Sequence, residues 1–143
     1  MTNPERATTG GNPAIAGAAY FALVFTLGFV LGTVRTIFVR DAPSSGRLIG
    51  VLIELPIMLW ASWFLCRFVV RRFAVASTTA ARAAMGAVAF ALLLLAELGV
   101  GALLFGRTPA EHFLLYRDAS YALGLVAQIG FTLMPLLQLR RHE

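Results

Sequence analysis

Charged residues are scarce in this sequence of 143 residues, and lysine is missing altogether. Charged side chains make up 13% of the chain and hydrophobic ones 59%, whereas soluble domains carry about a quarter charged residues. A soluble surface of this size would need more charge than the chain supplies. The composition therefore indicates that lipid is the solvent for most of the chain.

Cysteine and histidine are too rare to support a disulfide framework or a metal cluster. Cys66 is the only cysteine, so no internal disulfide can form. His112 and His142 are the only histidines, and the topology derived below places them on opposite sides of the membrane, which argues against a bis-histidine haem. We therefore expect neither a metal nor a cofactor.

The positive charge of the chain comes from arginine alone. The formal net charge is +5, but the arginines lie singly or in pairs at the ends of apolar runs. That placement is typical of contacts with anionic headgroups and of topology signals, and it does not favour nucleic acid binding. We expect membrane lipids, and no nucleic acid, as partners.

Four apolar runs dominate the chain, and each reaches the roughly 20 residues that a spanning helix needs. Backbone groups in lipid must be satisfied within their own segment, so each run is predicted to be a helix. The expected fold is an all-α integral membrane protein, a four-transmembrane-helix antiparallel bundle forming one domain over residues 13–143. Residues 1–12 are expected to be a disordered tail. The predicted helices span about 13–39, 47–71, 82–105 and 119–140.

Two sets of capping residues mark helix starts. Asn12 and Pro13 suit the cap and first residue of helix one. Thr108, Pro109 and Glu111 form a capping box between helices three and four. The second set predicts a short interfacial helix in that connection.

The aromatic residues near the ends of the runs suggest membrane boundaries. Tyr116 and Tyr121 suit an outer aromatic belt, and Tyr20 suits an inner one. Trp60 and Trp63 lie deeper in their run than a belt residue, so we expect them to fill space between helices.

The arginine distribution predicts the orientation. Seven arginines flank the termini and the second loop, and five flank the first and third loops, which favours cytoplasmic termini in a bacterial inner membrane. The margin is small, so a dual topology stays open. All basic residues are arginine, and alanine, leucine and glycine are abundant. Such a composition is typical of a bacterial genome with high GC content.

Three charged residues fall within the apolar runs, all in the predicted outer half of the membrane. Glu54 lies about 10 Å along helix two from Arg47, and Glu97 lies roughly 15 Å below Arg107. Arg35 is near the outer end of helix one. We expect these side chains to meet in a shared site, because an isolated charge at a helix centre costs about 2.5–3.5 kcal/mol.

One arginine cannot neutralise two acids. The sequence leaves open whether Arg35 pairs with Glu54 or with Glu97. It also leaves open whether that pair only holds the helices in register or whether the spare acid binds a proton or another ligand. Gln128 completes the predicted binding or translocation site, since it lies near mid-membrane on the polar stripe of helix four. The candidates for the outer mouth of that site are Arg47, His112, Tyr116 and Tyr121.

Several functions are compatible with such a site. The first is a small transporter or channel coupled to protons or a cation, because a protonatable acid at membrane depth can bind and release what is transported. The second is a non-catalytic accessory or structural subunit of a larger membrane complex. The third is a membrane-embedded binder or enzyme for a lipophilic substrate. The small interior of four helices predicts a homo-oligomer or partner membrane subunits in each case.

Overall fold

The chain is helical over nearly all of the residues that the computed structural model describes, which are 10–39, 41 and 43–139. Four of its helices are long and apolar enough to cross a membrane. The sequence-based prediction of an all-helical chain with four such helices is confirmed. The helices are α1 (Pro13–Phe38), α2 (Ser44–Arg72), α3 (Thr79–Phe105), α4 (Pro109–Leu114) and α5 (Ala119–Leu139), with a 3₁₀ turn at Leu115–Arg117 between the last two.

Helices α2 and α3 begin earlier than predicted. The first starts at Ser44 where residue 47 was expected, and the second starts at Thr79 where residue 82 was expected. Thr78 explains the second difference, because its hydroxyl accepts the Ala81 N–H and caps the helix. The predicted end of the last helix at Arg140 lies outside the described residues.

The segment before α1 is held against the connection between α2 and α3. Asn12 caps α1 as predicted, since its side chain accepts the Ala14 N–H at 2.9 Å. The Gly11 N–H donates to the Ala74 carbonyl oxygen at 2.9 Å. The end of the predicted tail is therefore ordered, and residues 1–9 lie outside the described part of the chain.

Each long helix packs against two others. Within the described residues, α1 contacts α2 and α3, and α5 contacts the same two helices. Helices α1 and α5 therefore lie on one diagonal of the group, and α2 and α3 lie on the other. This order decides which polar side chains can meet.

The contacts also show which helix ends lie together. Gly17 of α1 lies against Met85 of α3, near the start of both helices. Arg35, near the end of α1, meets Glu54 in the first half of α2. We call the arginine end the one that contains the starts of α1 and α3 and the ends of α2 and α5; the opposite end is the loop end.

The buried core lies toward the arginine end, and Tyr20 is at its centre. The Tyr20 side chain is fully buried, and its hydroxyl donates to the Phe131 carbonyl oxygen at 3.2 Å. Its ring also stacks on the Phe131 ring at 4.5 Å between centroids. The prediction that Tyr20 belongs to an aromatic belt is therefore wrong, because the buried hydroxyl is satisfied across the diagonal by a backbone oxygen.

Trp60 lies on the outer surface of the helices. It is 68% exposed and packs beside Phe64 of the same helix, with ring centroids 4.6 Å apart. The prediction that it fills space between helices is wrong. Exposure of a large apolar ring fits a helix whose outward side contacts lipid.

A close helix approach at Gly86 generates a stability prediction. A Cβ at Gly86 would lie 2.3 Å from the Thr132 carbonyl oxygen of α5, whereas a Cβ at Gly99 of the same helix would meet nothing within 4 Å. We expect Gly86→Ala to lower the free energy of unfolding by about 1–3 kcal/mol, since α3 and α5 must move apart. Loss of helical signal on denaturation of the purified protein in micelles measures this.

Gly99→Ala is the matched control for that measurement. It adds the same methyl group to the same helix in open space, so we expect it to be neutral or slightly stabilising. Equal effects of the two substitutions would contradict the close approach at Gly86.

Candidate functional site

Arg35 and Glu54 form an ion pair between α1 and α2. Arg35 Nε donates to Glu54 Oε2 at 2.6 Å, and the two side chains are 31% and 19% exposed. Gly50 lies one turn before Glu54 on α2, and a Cβ there would be 3.1 Å from Arg35 Cδ. The arginine stem therefore lies over the bare backbone at Gly50, which brings the guanidinium to the carboxylate.

Glu97 lies in a different group of contacts, formed by α3, α5 and the 3₁₀ turn. The Tyr116 hydroxyl donates to Glu97 Oε2 at 3.3 Å, and Gln128 Nε2 donates to Glu97 Oε1. Both donors are neutral. Within the described residues, this carboxyl group has hydrogen-bond partners but no arginine or histidine in an ion pair with it.

His112 borders the same group from α4. Its ring meets the Tyr116 ring edge-on, with centroids 5.9 Å apart. A Cβ at Gly101, one turn after Glu97, would lie 2.9 Å from His112 Nδ1, so the missing side chain makes room for the imidazole. Among the described residues, His112 Nδ1 and Gln128 Oε1 are buried polar atoms without a hydrogen-bond partner, which leaves one open bonding position on each side chain.

The predicted site residues thus form two groups where one shared site was expected. Arg35 bonds to Glu54, and Glu97 bonds to Gln128 and Tyr116. The reason is the helix order, since the acids belong to α2 and α3, which lie on opposite corners of the group. Arg35 is on α1 and reaches the acid of α2.

The four residues predicted for the outer mouth divide in the same way. His112 and Tyr116 belong to the Glu97 group, whereas Arg47 and Tyr121 are exposed and make no hydrogen bond to Glu97 among the described contacts. Arg47 instead contributes to the electrostatics of Asp118. The pKa of Asp118 lies below its usual value because its carboxylate accepts the Ser120 N–H, with a smaller contribution from Arg47.

The predicted capping box forms at the start of α4, whose His112 lies against Gly101 of α3. The Glu111 side chain accepts the Thr108 N–H at 2.8 Å, and the Thr108 hydroxyl accepts the Glu111 N–H at 3.3 Å. The bonds with Thr108 also lower the pKa of Glu111. This capped helix carries His112 to its position beside Gly101.

Sequence reasoning missed a set of buried polar residues at the arginine end. Arg82 is 5% exposed, and its Nε donates to the Ala76 carbonyl oxygen at 3.2 Å. Gln138 Nε2 donates to the Trp63 carbonyl oxygen at 2.7 Å. Arg82 was assigned to the edge of its helix because the start of α3 was expected later; the cap at Thr78 was the signal that places it inside.

The described residues hold no group of three histidine, cysteine or acidic side chains arranged to bind a metal ion. No protein-family model, curated protein or solved structure matches this chain. Its four long apolar helices define the class: a small multi-pass helical membrane protein.

The Arg35–Glu54 pair generates a second prediction. Arg35→Gln or Glu54→Gln alone leaves a half-buried charge without its partner, and we expect each to lower the free energy of unfolding by about 1–3 kcal/mol. That is less than for a fully buried pair, because both groups reach the surface. The double variant removes both charges, so its loss should be smaller than the sum of the single losses. Denaturation in micelles measures the free energy of unfolding of the two single variants and the double variant. Strictly additive losses would contradict an interaction between Arg35 and Glu54.

Tyr116 generates a third prediction, which concerns its ionisation. Burial, the negative charge of Glu97 and the hydrogen bond to Glu97 raise the pKa of Tyr116 from 10.0 to about 12. We expect Glu97→Gln to lower this pKa toward 10.0, though not fully, because burial persists. Absorbance titration of tyrosinate, taken as the difference from Tyr116→Phe, measures the pKa.

The same shift links Tyr116 to stability at high pH. Between pH 10.0 and about 12, the Tyr116 phenol keeps its proton in the folded protein and loses it in the unfolded chain. The contribution of Tyr116 to the free energy of unfolding is therefore complete below pH 10.0 and is lost as the pH rises through about 12. Glu111→Gln, outside the Glu97 group, is the control and should leave the Tyr116 titration unchanged. If Glu97→Gln left the pKa of Tyr116 unaltered, the contact between Tyr116 and Glu97 would be contradicted.

Proposed function

We propose that this protein is a small proton-coupled or cation-coupled transporter or channel of the bacterial cytoplasmic membrane, and that Glu97 binds the transported or coupling proton. The observation that supports this is the set of hydrogen-bond partners of Glu97 among the described residues, which consists of two neutral donors and includes no cation. A carboxylate in a spanning helix is costly without a counter-charge. Taking up a proton removes that cost, and releasing it restores the charge.

Glu54 has a different role in this proposal. Its carboxylate already has a counter-charge in Arg35 at 2.6 Å, so protonating it would leave the arginine unpaired. We assign the Arg35–Glu54 pair to holding α1 against α2. Of the two acids in the spanning helices, Glu97 is the one free to exchange a proton without breaking an ion pair.

The surroundings of Glu97 suit both of its protonation states. An ionised carboxylate accepts from the Tyr116 hydroxyl and from Gln128 Nε2, as in the structure. A protonated carboxyl group is a donor as well as an acceptor, and rotating the Gln128 amide by half a turn would present Oε1 to it. That oxygen is buried and has no partner in the structure, so it is available for the second state.

The proton would enter from the loop end. His112 and Tyr116 lie between Glu97 and the exposed connection that contains Glu111 and Asp118. Toward the arginine end, the buried side chains next to this group include Leu93 and Phe131, which offer no polar path. We propose that crossing this layer requires a conformational change or a second copy of the chain in a homo-oligomer.

The proposed placement follows the charges. The described arginine end carries Arg67, Arg71, Arg72 and Arg82, so we place it and both termini in the cytoplasm. The helices then form an antiparallel bundle, with α4 at the outer interface. Its apolar residues Phe113 and Leu114 are exposed, as an interfacial helix requires.

The experiment is proton flux into liposomes that contain the purified chain and a trapped pH indicator. With an imposed pH gradient and the membrane voltage clamped by a potassium ionophore, we expect flux above that of empty liposomes. Glu97→Gln keeps the size of the side chain and one acceptor oxygen, but it replaces the other oxygen with an amide donor and cannot exchange a proton. We expect it to reduce the flux to the background of empty liposomes.

Glu111→Gln is the matched control, because glutamine can also complete a capping box. It should transport like the original chain, and both variants should retain the helical circular dichroism signal. Full flux in Glu97→Gln would overturn the role of Glu97. No flux in the original chain, together with a membrane partner that copurifies with it, would favour the accessory-subunit alternative.

A further inference from the structure

A shallow groove of about 590 Å³ lies on the outer surface of α2 at the arginine end. Its lining residues recur every three or four positions, so they share one side of the helix. That side is far from the Glu97 group, which lies toward the loop end. The lining residues are Phe64, Arg67, Phe68, Arg71 and Arg72.

Among the described residues, the three guanidinium groups of the groove have no acidic partner in an ion pair. Arg67, Arg71 and Arg72 are exposed, and the ion pair found among the described residues uses a different arginine. They lie near the end of α2, where the negative pole of the helix dipole offsets only about half a charge. An excess of positive charge is therefore left for a ligand.

The apolar residues of the groove alternate with its arginines and begin deeper along the same helix. Phe64 and Phe68 are 51% and 59% exposed. Phe64 lies one turn deeper than Arg67, and Phe68 lies one turn deeper than Arg71 and Arg72. A ligand that fits this order carries negative charge at the membrane surface and hydrocarbon below it. Phosphate alone would leave the phenylalanine rings without a contact.

The described part of a second copy of the chain does not supply the missing charge. All the acidic residues that the structure describes belong to the loop end or to the half of the helices next to it; they are Asp41, Glu54, Glu97, Glu111 and Asp118. A copy inserted in the same orientation would bring its own arginine end to this groove. Like charges would then face each other, which costs free energy.

We propose that this groove binds an anionic phospholipid, with the headgroup phosphate on Arg67, Arg71 and Arg72 and an acyl chain against Phe64 and Phe68. Basic pockets beside spanning helices bind anionic headgroups in this way. Guanidinium groups suit this role because they can donate two hydrogen bonds to one phosphate. The binding site is independent of the proton chemistry proposed for Glu97.

The two tryptophans of the chain report on this groove. Trp60 and Trp63 precede Arg67 on α2, and Trp60 packs beside Phe64. Bromine atoms on a lipid acyl chain quench tryptophan fluorescence at short range. The full chain is reconstituted in phosphatidylcholine vesicles in which a fixed minor fraction is either brominated phosphatidylglycerol or brominated phosphatidylcholine.

We expect the anionic brominated lipid to quench more than the zwitterionic one at the same fraction. The triple variant Arg67→Gln, Arg71→Gln, Arg72→Gln should reduce this preference at least about fivefold, because each arginine near the surface adds roughly that factor. The preference should also fall as salt rises, since the screening length drops from about 10 Å at 0.1 M to about 3 Å at 1 M. The corresponding triple lysine variant keeps the charge and should retain a preference.

Two controls separate the groove from general attraction of lipid to a basic protein. Arg47→Gln, Arg107→Gln, Arg117→Gln removes the same charge at the loop end and should leave the preference unchanged. Phe68→Ala removes no charge and should reduce it. Equal quenching by the two lipids, an equal loss in the loop-end control, or no effect of Phe68→Ala would each overturn the proposal.

Discussion

The structure depends on how two carboxyl groups are accommodated within apolar helices. Each acid lies one turn from a glycine, and in each case a polar side chain occupies the room that the glycine leaves: Arg35 over Gly50 beside Glu54, and His112 over Gly101 near Glu97. A larger residue at either glycine would hold the neighbouring element away. The neighbouring elements must therefore approach closely at these two glycines for the polar groups to be buried.

The surroundings of the two carboxyl groups differ in charge. Glu54 has a cation as its partner, whereas Glu97 has two neutral donors. Protonating the paired carboxylate would leave its arginine partner without a counter-charge. An acid surrounded by neutral donors can change state while every neighbour keeps its own charge. The capped α4 completes this second group, because it brings His112 and the following Tyr116 over α3.

The ends of the molecule also have opposite characters. The core around Tyr20 and the exposed arginines of the groove lie at one end, and the described acids lie toward the other. Helix order then explains why the predicted shared site is divided. An arginine on α1 can reach α2 or α3, but those helices occupy opposite corners, so one guanidinium does not serve both acids. Spacing along a single helix contains no information about which neighbour is adjacent.

The sequence by itself determined the four apolar helices, the cap at Asn12 and the capping box of Thr108 and Glu111. These features depend on residues close together in the chain and on the length that lipid requires. Tertiary structure alone decided that Arg35 pairs with Glu54, that Tyr116 and Gln128 bond to Glu97, and that Tyr20 is buried while Trp60 is exposed. Each of these outcomes depends on the rotation and order of neighbouring helices, and uniformly apolar sequences specify neither, because nearly every side of such a helix is equally acceptable to lipid and to protein.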